Sequence, residues 1–173
     1  MSFDLYFLDR RPGESWEDAM ERLEEESDSE SRFDEAQIVQ WDRIKAALSE
    51  VLPGASEFVG EGSRELSDES SGIQISWYGD ELSLTVPYWH SGDDADRMVS
   101  LLQRIVGAVE SITGRTAYDP QAEAPFLGAG AGAAADTFDR VARSFGRDVT
   151  RAAAPGSDDG KPPGFFKRVF GRG

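Results

Sequence analysis

Phe3, Leu5 and Phe7 alternate with Asp4, Tyr6 and Leu8 at the start of the chain, the period-two pattern of a strand with one fully buried face. Pro12 and Gly13 break the pattern. In Ser15-Trp16-Glu17-Asp18 a capping serine stands three residues before an acid, which predicts the start of a short helix carrying Met20 and Leu23 on its apolar stripe. The following EEESDSES run, 24–31, reads as a solvated loop, and it lacks the glycine at the sixth position that a calcium loop requires. Ile38, Trp41, Ile44, Leu48 and Val51 then fall at helical spacing, predicting a core-facing helix within 34–52 that Pro53-Gly54 stops. The stretch 55–71 is polar and glycine-containing, compatible with a loop or an irregular edge strand.

The clearest strand pattern follows. Ile73, Ile75 and Trp77, a Gly79-Asp80 turn, and Leu82, Leu84 and Val86 predict a hairpin, since glycine takes the positive φ that a two-residue turn needs at its first central position. Pro87 removes a ladder donor and ends the second strand or places it at an edge. Asp93 or Asp94 is then expected to cap a helix with Met98, Leu101, Leu102, Ile105, Val109 and Ile112 inside and Gly114 as its left-handed stop. A short strand at Arg115-Thr116-Ala117-Tyr118-Asp119 ends at Pro120. Strand, helix, hairpin, helix, strand is the split β-α-β order, so the expected fold is α+β and ferredoxin-like with one extra short helix, closing near residue 123.

Beyond that point the pattern changes. Residues 124–135, with APFLGAGAGAAA at their head, read as a Gly/Ala-rich linker. Their glycines lack the following Lys-Ser/Thr of a phosphate loop. Residues 136–153 place Phe138, Val141, Ala142, Phe145, Val149 and Ala152 on one helical face and Arg140, Arg143, Arg147 and Arg151 on the opposite one. A second loop leads to Phe165-Phe166-Lys167-Arg168 near the end, so 136–173 is expected to be a flexible basic amphipathic tail.

Charge sharpens this division. Residues 1–123 carry 28 acidic and 10 basic side chains, net −18, whereas 124–173 carry 5 and 8, net +3, in a chain of 173 residues and net charge −15. An acidic body repels phosphate backbones, which argues against nucleic-acid binding by the folded part. The absence of cysteine excludes disulfides and thiolate chemistry, and a single histidine excludes a multi-histidine metal site within one chain. No metal or cofactor is therefore expected. The start has no basic segment followed by a long apolar run, so no secretion signal is read and a cytoplasmic location is expected.

The candidate chemistry concentrates in VPYWHSGDDADRM, 86–98. Tyr88, Trp89 and His90 with Asp93 and Asp94 combine large rigid aromatic area with polar tips, the composition of a partner-binding surface. The alternative is a small enzyme using the Tyr88–Asp93 loop, because a histidine with a carboxylate and Ser91 nearby has the residue types of acid–base or nucleophilic catalysis. Triads are assembled from positions distant in sequence, however, and no catalytic residue is assigned. In the tail, Arg140, Arg143, Arg147, Arg151, Phe165, Phe166, Lys167 and Arg168 suit contact with an anionic membrane or an acidic partner.

Three landmarks, MSFDLYFLDRRPGESWEDAM at 1–20, VPYW at 86–89 and TGRTAYDPQ at 113–121, resemble a family of small bacterial proteins that share them over roughly 1–123. That family in turn resembles the small acidic immunity partners encoded near secreted toxins. The resemblance implies non-enzymatic recognition of a protein partner, plausibly a basic toxin domain, and carries over no site residues. Acidic inhibitors match the basic clefts of toxins that act on nucleic acids and associate with them fast.

Overall fold

The computed structural model describes residues 2–26, 33–134, 136–138 and 140. β1 (Ser2–Leu8) buries Phe3, Leu5 and Phe7 completely, as its alternation predicts. α1 (Trp16–Glu26) starts on the expected capping box, with the Asp18 N–H donating to Ser15 Oγ (3.0 Å) and the Ser15 N–H to Asp18 Oδ2 (3.3 Å). α2 (Glu35–Leu48) starts on a second box, formed by Asp34 and Gln37, and buries Trp41, Ile44 and Leu48. Ile38, assigned to the same stripe by spacing, lies exposed in the first turns of α2, and Leu52 enters the core instead.

The stretch 55–71 is a hairpin. β2 (Ser56–Val59) is an exposed edge strand paired with β3 (Ser63–Asp68), whose Leu66 and Asp68 are buried. β4 (Ile73–Tyr78) and β5 (Glu81–Pro87) form the predicted hairpin around Gly79, at φ 55°, and Asp80, with Tyr78 opposite Glu81. α3 (Asp93–Thr113) ends as predicted at Gly114, φ 73°, whose N–H donates to the Glu110 carbonyl. Its start corrects the sequence reading. The cap is Gly92, with no side-chain bond, and the backbone turn is already closed by Asp94 N–H to Ser91 O and Ala95 N–H to Gly92 O. Asp93 and Asp94 lie inside the first turn with Asp96, where their charge complements the helix dipole without capping it. β6 (Thr116–Asp119) and β7 (Ala124–Pro125) complete the chain of strands.

Among the described residues these seven strands form one antiparallel sheet in the order β2-β3-β4-β5-β1-β6-β7. The protein is thus α+β, but its sheet is larger than the four-stranded ferredoxin-like order expected. A second hairpin extends one side and β7 the other, because serine-rich strands and a two-residue strand carry little periodic apolar signal.

The two sheet faces are unlike. Phe3, Leu5, Phe7, Ile75, Trp77, Leu82, Leu84 and Val86 project to the side covered by α2 and α3, forming the main core. On the opposite face a smaller cluster joins Leu8 and Tyr118 to Ala19 and Leu23 of α1.

The expected linker also belongs to the main core. Phe126, Ala134 and Phe138 are fully buried there and Ala131 nearly so. Ala131, Ala134 and Phe138 stand at i, i+3 and i+7, a helical stripe in which alanine's small side chain lets the backbone approach closely. The boundary placed at 123 therefore moves past Phe138. Arg143, Arg147, Arg151, Phe165, Phe166, Lys167 and Arg168 lie outside the described residues, as does all of the expected amphipathic tail after Arg140.

Candidate recognition surface

The aromatic loop after β5 is split between core and solvent. Tyr88 is buried, with its ring edge-on to Phe3 at 6.2 Å and tilted against Phe138 at 5.5 Å. Its hydroxyl donates to Gln121 Oε1 at 2.8 Å, and burial pushes its pKa up. Trp89 is 63% exposed and stands against Gly72, where an added Cβ would meet its Cζ2 at 2.6 Å. His90 Nε2 lies 3.2 Å from the Ser71 carbonyl, a bond that requires the proton on that nitrogen, and its ring is edge-on to Trp89 and Phe138. Asp93 and Asp94 are exposed, and Asp94 Oδ1 accepts from Arg97 at 2.7 Å. The geometry thus leaves Trp89, Asp93 and Asp94 at the surface, turns His90 onto a backbone carbonyl and removes Tyr88 from contact. Of the tail residues, Arg140 is exposed and donates to Thr137 Oγ1 at 3.2 Å.

A second surface, not singled out from the sequence, is the sheet face opposite the main core. Its cross-strand rows run Asp4–Thr85–Gln74–Ser67–Ser56 and Tyr118–Tyr6–Ser83–Ser76–Glu65–Phe58. Next to them Glu81 pairs Tyr78, which pairs Ser63. These rows contain hydroxyls, amides, aromatics and carboxylates and no lysine or arginine. Thr85 Oγ1 donates to Asp4 Oδ1 at 2.7 Å and Ser67 Oγ to Glu65 Oε1 at 2.7 Å, so hydroxyls hold the carboxylates at the surface. Phe58 and Tyr78 are exposed. The sequence signal was the short polar residue at every second position of 63–67, 74–76 and 83–85, which marks a flat, half-solvated face.

α1 closes one end of this face and adds to its charge. Its solvent side bears Glu17, Glu21, Glu24 and Glu25, all exposed. Tyr6 has its pKa pushed up by burial and then by the carboxylates of Asp4, Glu81 and Glu24. Tyr118 is likewise pushed up by burial, then by Glu123, Glu17 and Asp119. Several cations are meanwhile engaged within the protein. Arg22 grips Glu14 through two bonds, at 2.9 and 3.1 Å, and donates to the Asp9 carbonyl; Lys45 pairs Asp42 and Glu57. Arg64 donates to the Gly60 and Ser63 carbonyls, and Arg115 to that of Asp80.

Among the described residues no cluster of three or more His, Cys, Asp or Glu side chains is placed to hold a metal ion, and no helix is long and apolar enough to cross a membrane. The chain matches no protein-family model, and no curated protein or solved structure is significantly similar to it.

Proposed function

We propose that this protein is a non-enzymatic recognition module that binds a basic protein surface, as an immunity-type inhibitor caps the basic cleft of a toxin acting on nucleic acids. One observation carries the reading: the sheet face of Asp4, Glu65, Glu81 and their hydroxyl neighbours, whose cross-strand rows hold no lysine or arginine among the described residues, continues into the glutamates of α1. Such a surface is held by a hydrogen-bonded sheet and preorganised, so docking orders few side chains. Its charge speeds encounter with a basic partner and disfavours acidic competitors. His90, bonded through Nε2 to a backbone carbonyl, is engaged in holding the loop to the β3–β4 turn, which favours recognition over acid–base catalysis. Exposed Trp89 adds a second contact point on the loop before α3.

In the same reading the strands β4-β5-β1-β6 with α2 and α3 are an enlarged split β-α-β unit, the ferredoxin-like element around which the extra hairpin and β7 are added. The test is affinity capture from native lysate with the full chain at low and high salt. A stoichiometric basic partner retained at low salt and released at high salt is expected; recovery of none at low salt removes the proposal.

A further inference from the structure

The end of the acidic face holds a built concavity. A groove of about 640 Å³ opens between α1 and the segment after β6, floored by Trp16, Met20 and Tyr118. Trp16 and Tyr118 are stacked, with centroids 5.8 Å apart and planes at 13°, and because Tyr118 is only 5% exposed the aromatic area open at the floor is mainly that of the half-buried Trp16. Met20 stands one helical turn beyond Trp16 and gives the floor an adaptable apolar extension.

Apart from Pro120, the rim is acidic. Glu17, Glu21 and Glu24 repeat at i, i+4 and i+7 along one side of α1, and Glu123 lines the groove from the other. Glu123 sits at φ 51°, the one described non-glycine residue with positive φ. The raised Tyr118 pKa reports the negative potential of Glu123 and Glu17 at the floor, after burial.

This combination is more selective than an acidic patch. A hydrated metal ion would use the carboxylates and leave the aromatic floor idle, and a lysine ammonium, a compact and strongly hydrated point charge, would engage it less closely. A planar guanidinium stacks on aromatic faces, forks onto carboxylates and is weakly enough hydrated to leave water for such a site. The chain itself displays the pairing at this place: the Arg10 guanidinium lies 4.5 Å from the centre of the Trp16 ring, so an incoming guanidinium shares that ring with Arg10 or takes its place. We propose that the groove between α1 and the β6–β7 connection seats an arginine side chain from a basic segment of a protein partner, its guanidinium on the Trp16–Tyr118 floor and within reach of the rim glutamates. This rests on the reading of the protein as a binder of basic partners and names where the anchor enters.

The experiment measures binding of fluorescently labelled oligo-arginine and oligo-lysine peptides of equal length to the full chain. The arginine peptide is expected to bind about tenfold more tightly than the lysine peptide, the scale of one stacked, forked contact. Glu21→Lys/Glu24→Lys is expected to weaken the arginine peptide at least about tenfold, and Glu50→Lys/Glu69→Lys, with the same charge change outside the groove, by less than about threefold. Trp16→Leu, with folding checked by circular dichroism, is expected to abolish the preference for arginine without changing the charge. Equal affinity for the two peptides, or equal weakening by both charge-reversed pairs, would show attraction by net charge alone and overturn the groove. Binding that appears only after residues 141–173 are removed would assign the groove to the chain's own basic tail and overturn it too. If the Glu21→Lys/Glu24→Lys protein still retains a stoichiometric basic partner as wild type does, the groove falls and the partner reading stands; if wild type retains none, that reading falls and the peptide preference alone decides the groove.

Discussion

The Tyr88 hydroxyl and the Gln121 side chain meet at 2.8 Å, joining the end of β5 to the turn after β6 across the edge of the main core. The bond explains why an aromatic that the sequence places in a recognition loop is held inside. Tyr88→Phe keeps the ring packing on Phe3 and Phe138 and loses only this bond, an expected cost of about 1 kcal/mol. Tyr88→Ala also opens a cavity and is expected to cost about 3–5 kcal/mol, as large aromatic truncations do. Urea unfolding of the three proteins checks the order, and a Phe variant as unstable as the Ala variant would contradict it.

Phe138 and Phe126 make the segment after β7 part of the domain. Phe138→Ala is expected to destabilise by about 3–5 kcal/mol. A chain ending at residue 140 is expected to unfold cooperatively, whereas one ending at 123 exposes the core it leaves behind and is expected to lose the transition. Thermal melts followed by near-ultraviolet circular dichroism distinguish these outcomes; a cooperative 1–123 fragment would restore the boundary expected from composition.

Asp119 is 1% exposed, and its Oδ1 accepts from the Gln121 N–H (2.8 Å) and the Ala122 N–H (3.2 Å). Burial, the largest effect, raises its pKa above the ordinary 3.8, against those two bonds. A carboxyl with a raised folded pKa lowers stability above that pKa and restores it as pH falls through it towards 3.8. Asp119→Asn keeps an acceptor without the charge, so at pH 7 it is expected to be neutral or stabilising and to remove this contribution from the stability–pH profile. Asp119→Ala leaves two backbone donors without their acceptor and is expected to cost about 1–3 kcal/mol. Guanidinium unfolding at several pH values tests both.

Glu14 and Arg22 give the opposite sign. The Arg22 side-chain bonds, followed by the Arg11 backbone N–H, lower the Glu14 pKa to about 2 from 4.5. A lowered folded pKa contributes stability above pH 4.5 that is lost as pH falls towards 2. The N-terminal turn of α1 is therefore expected to loosen from the loop before it in that window. Arg22→Gln is expected to return the Glu14 titration towards 4.5, read by carboxylate NMR; an unchanged titration would contradict the assignment.

Gly72 sits at φ 72°, and a Cβ there would stand 2.6 Å from Trp89 Cζ2 and 2.7 Å from Pro87 Cγ. Gly72→Ala combines an unfavourable left-handed backbone, about 1–2 kcal/mol, with displacement of Trp89. The expected result is a destabilised protein with altered tryptophan fluorescence, and Trp89→Ala should relieve the clash with Trp89 but not the one with Pro87.

Elements with a strong period were legible in the sequence. β1, the β4–β5 hairpin, the core stripe of α3 and the Ser15–Asp18 box all follow from local chemistry, because alternation, turn glycines and capping side chains act over a few residues. What the sequence by itself determined is thus an α+β body with an acid excess and the approximate path of its core elements. The tertiary structure decided the rest. β3 is a strand because β4 offers it a ladder, and β2 because β3 does, not because Ser63, Glu65 and Ser67 prefer to be extended. Phe138 is core because it meets Phe3 and Tyr88, residues far away in the chain, and Ala131 and Ala134 join the same cluster. The acidic face and its groove arise from the same cause. Asp4, Glu65 and Glu81 are scattered along the chain and become one surface only through strand register, while Trp16 and Tyr118, 102 positions apart, become one floor only where α1 packs across β6.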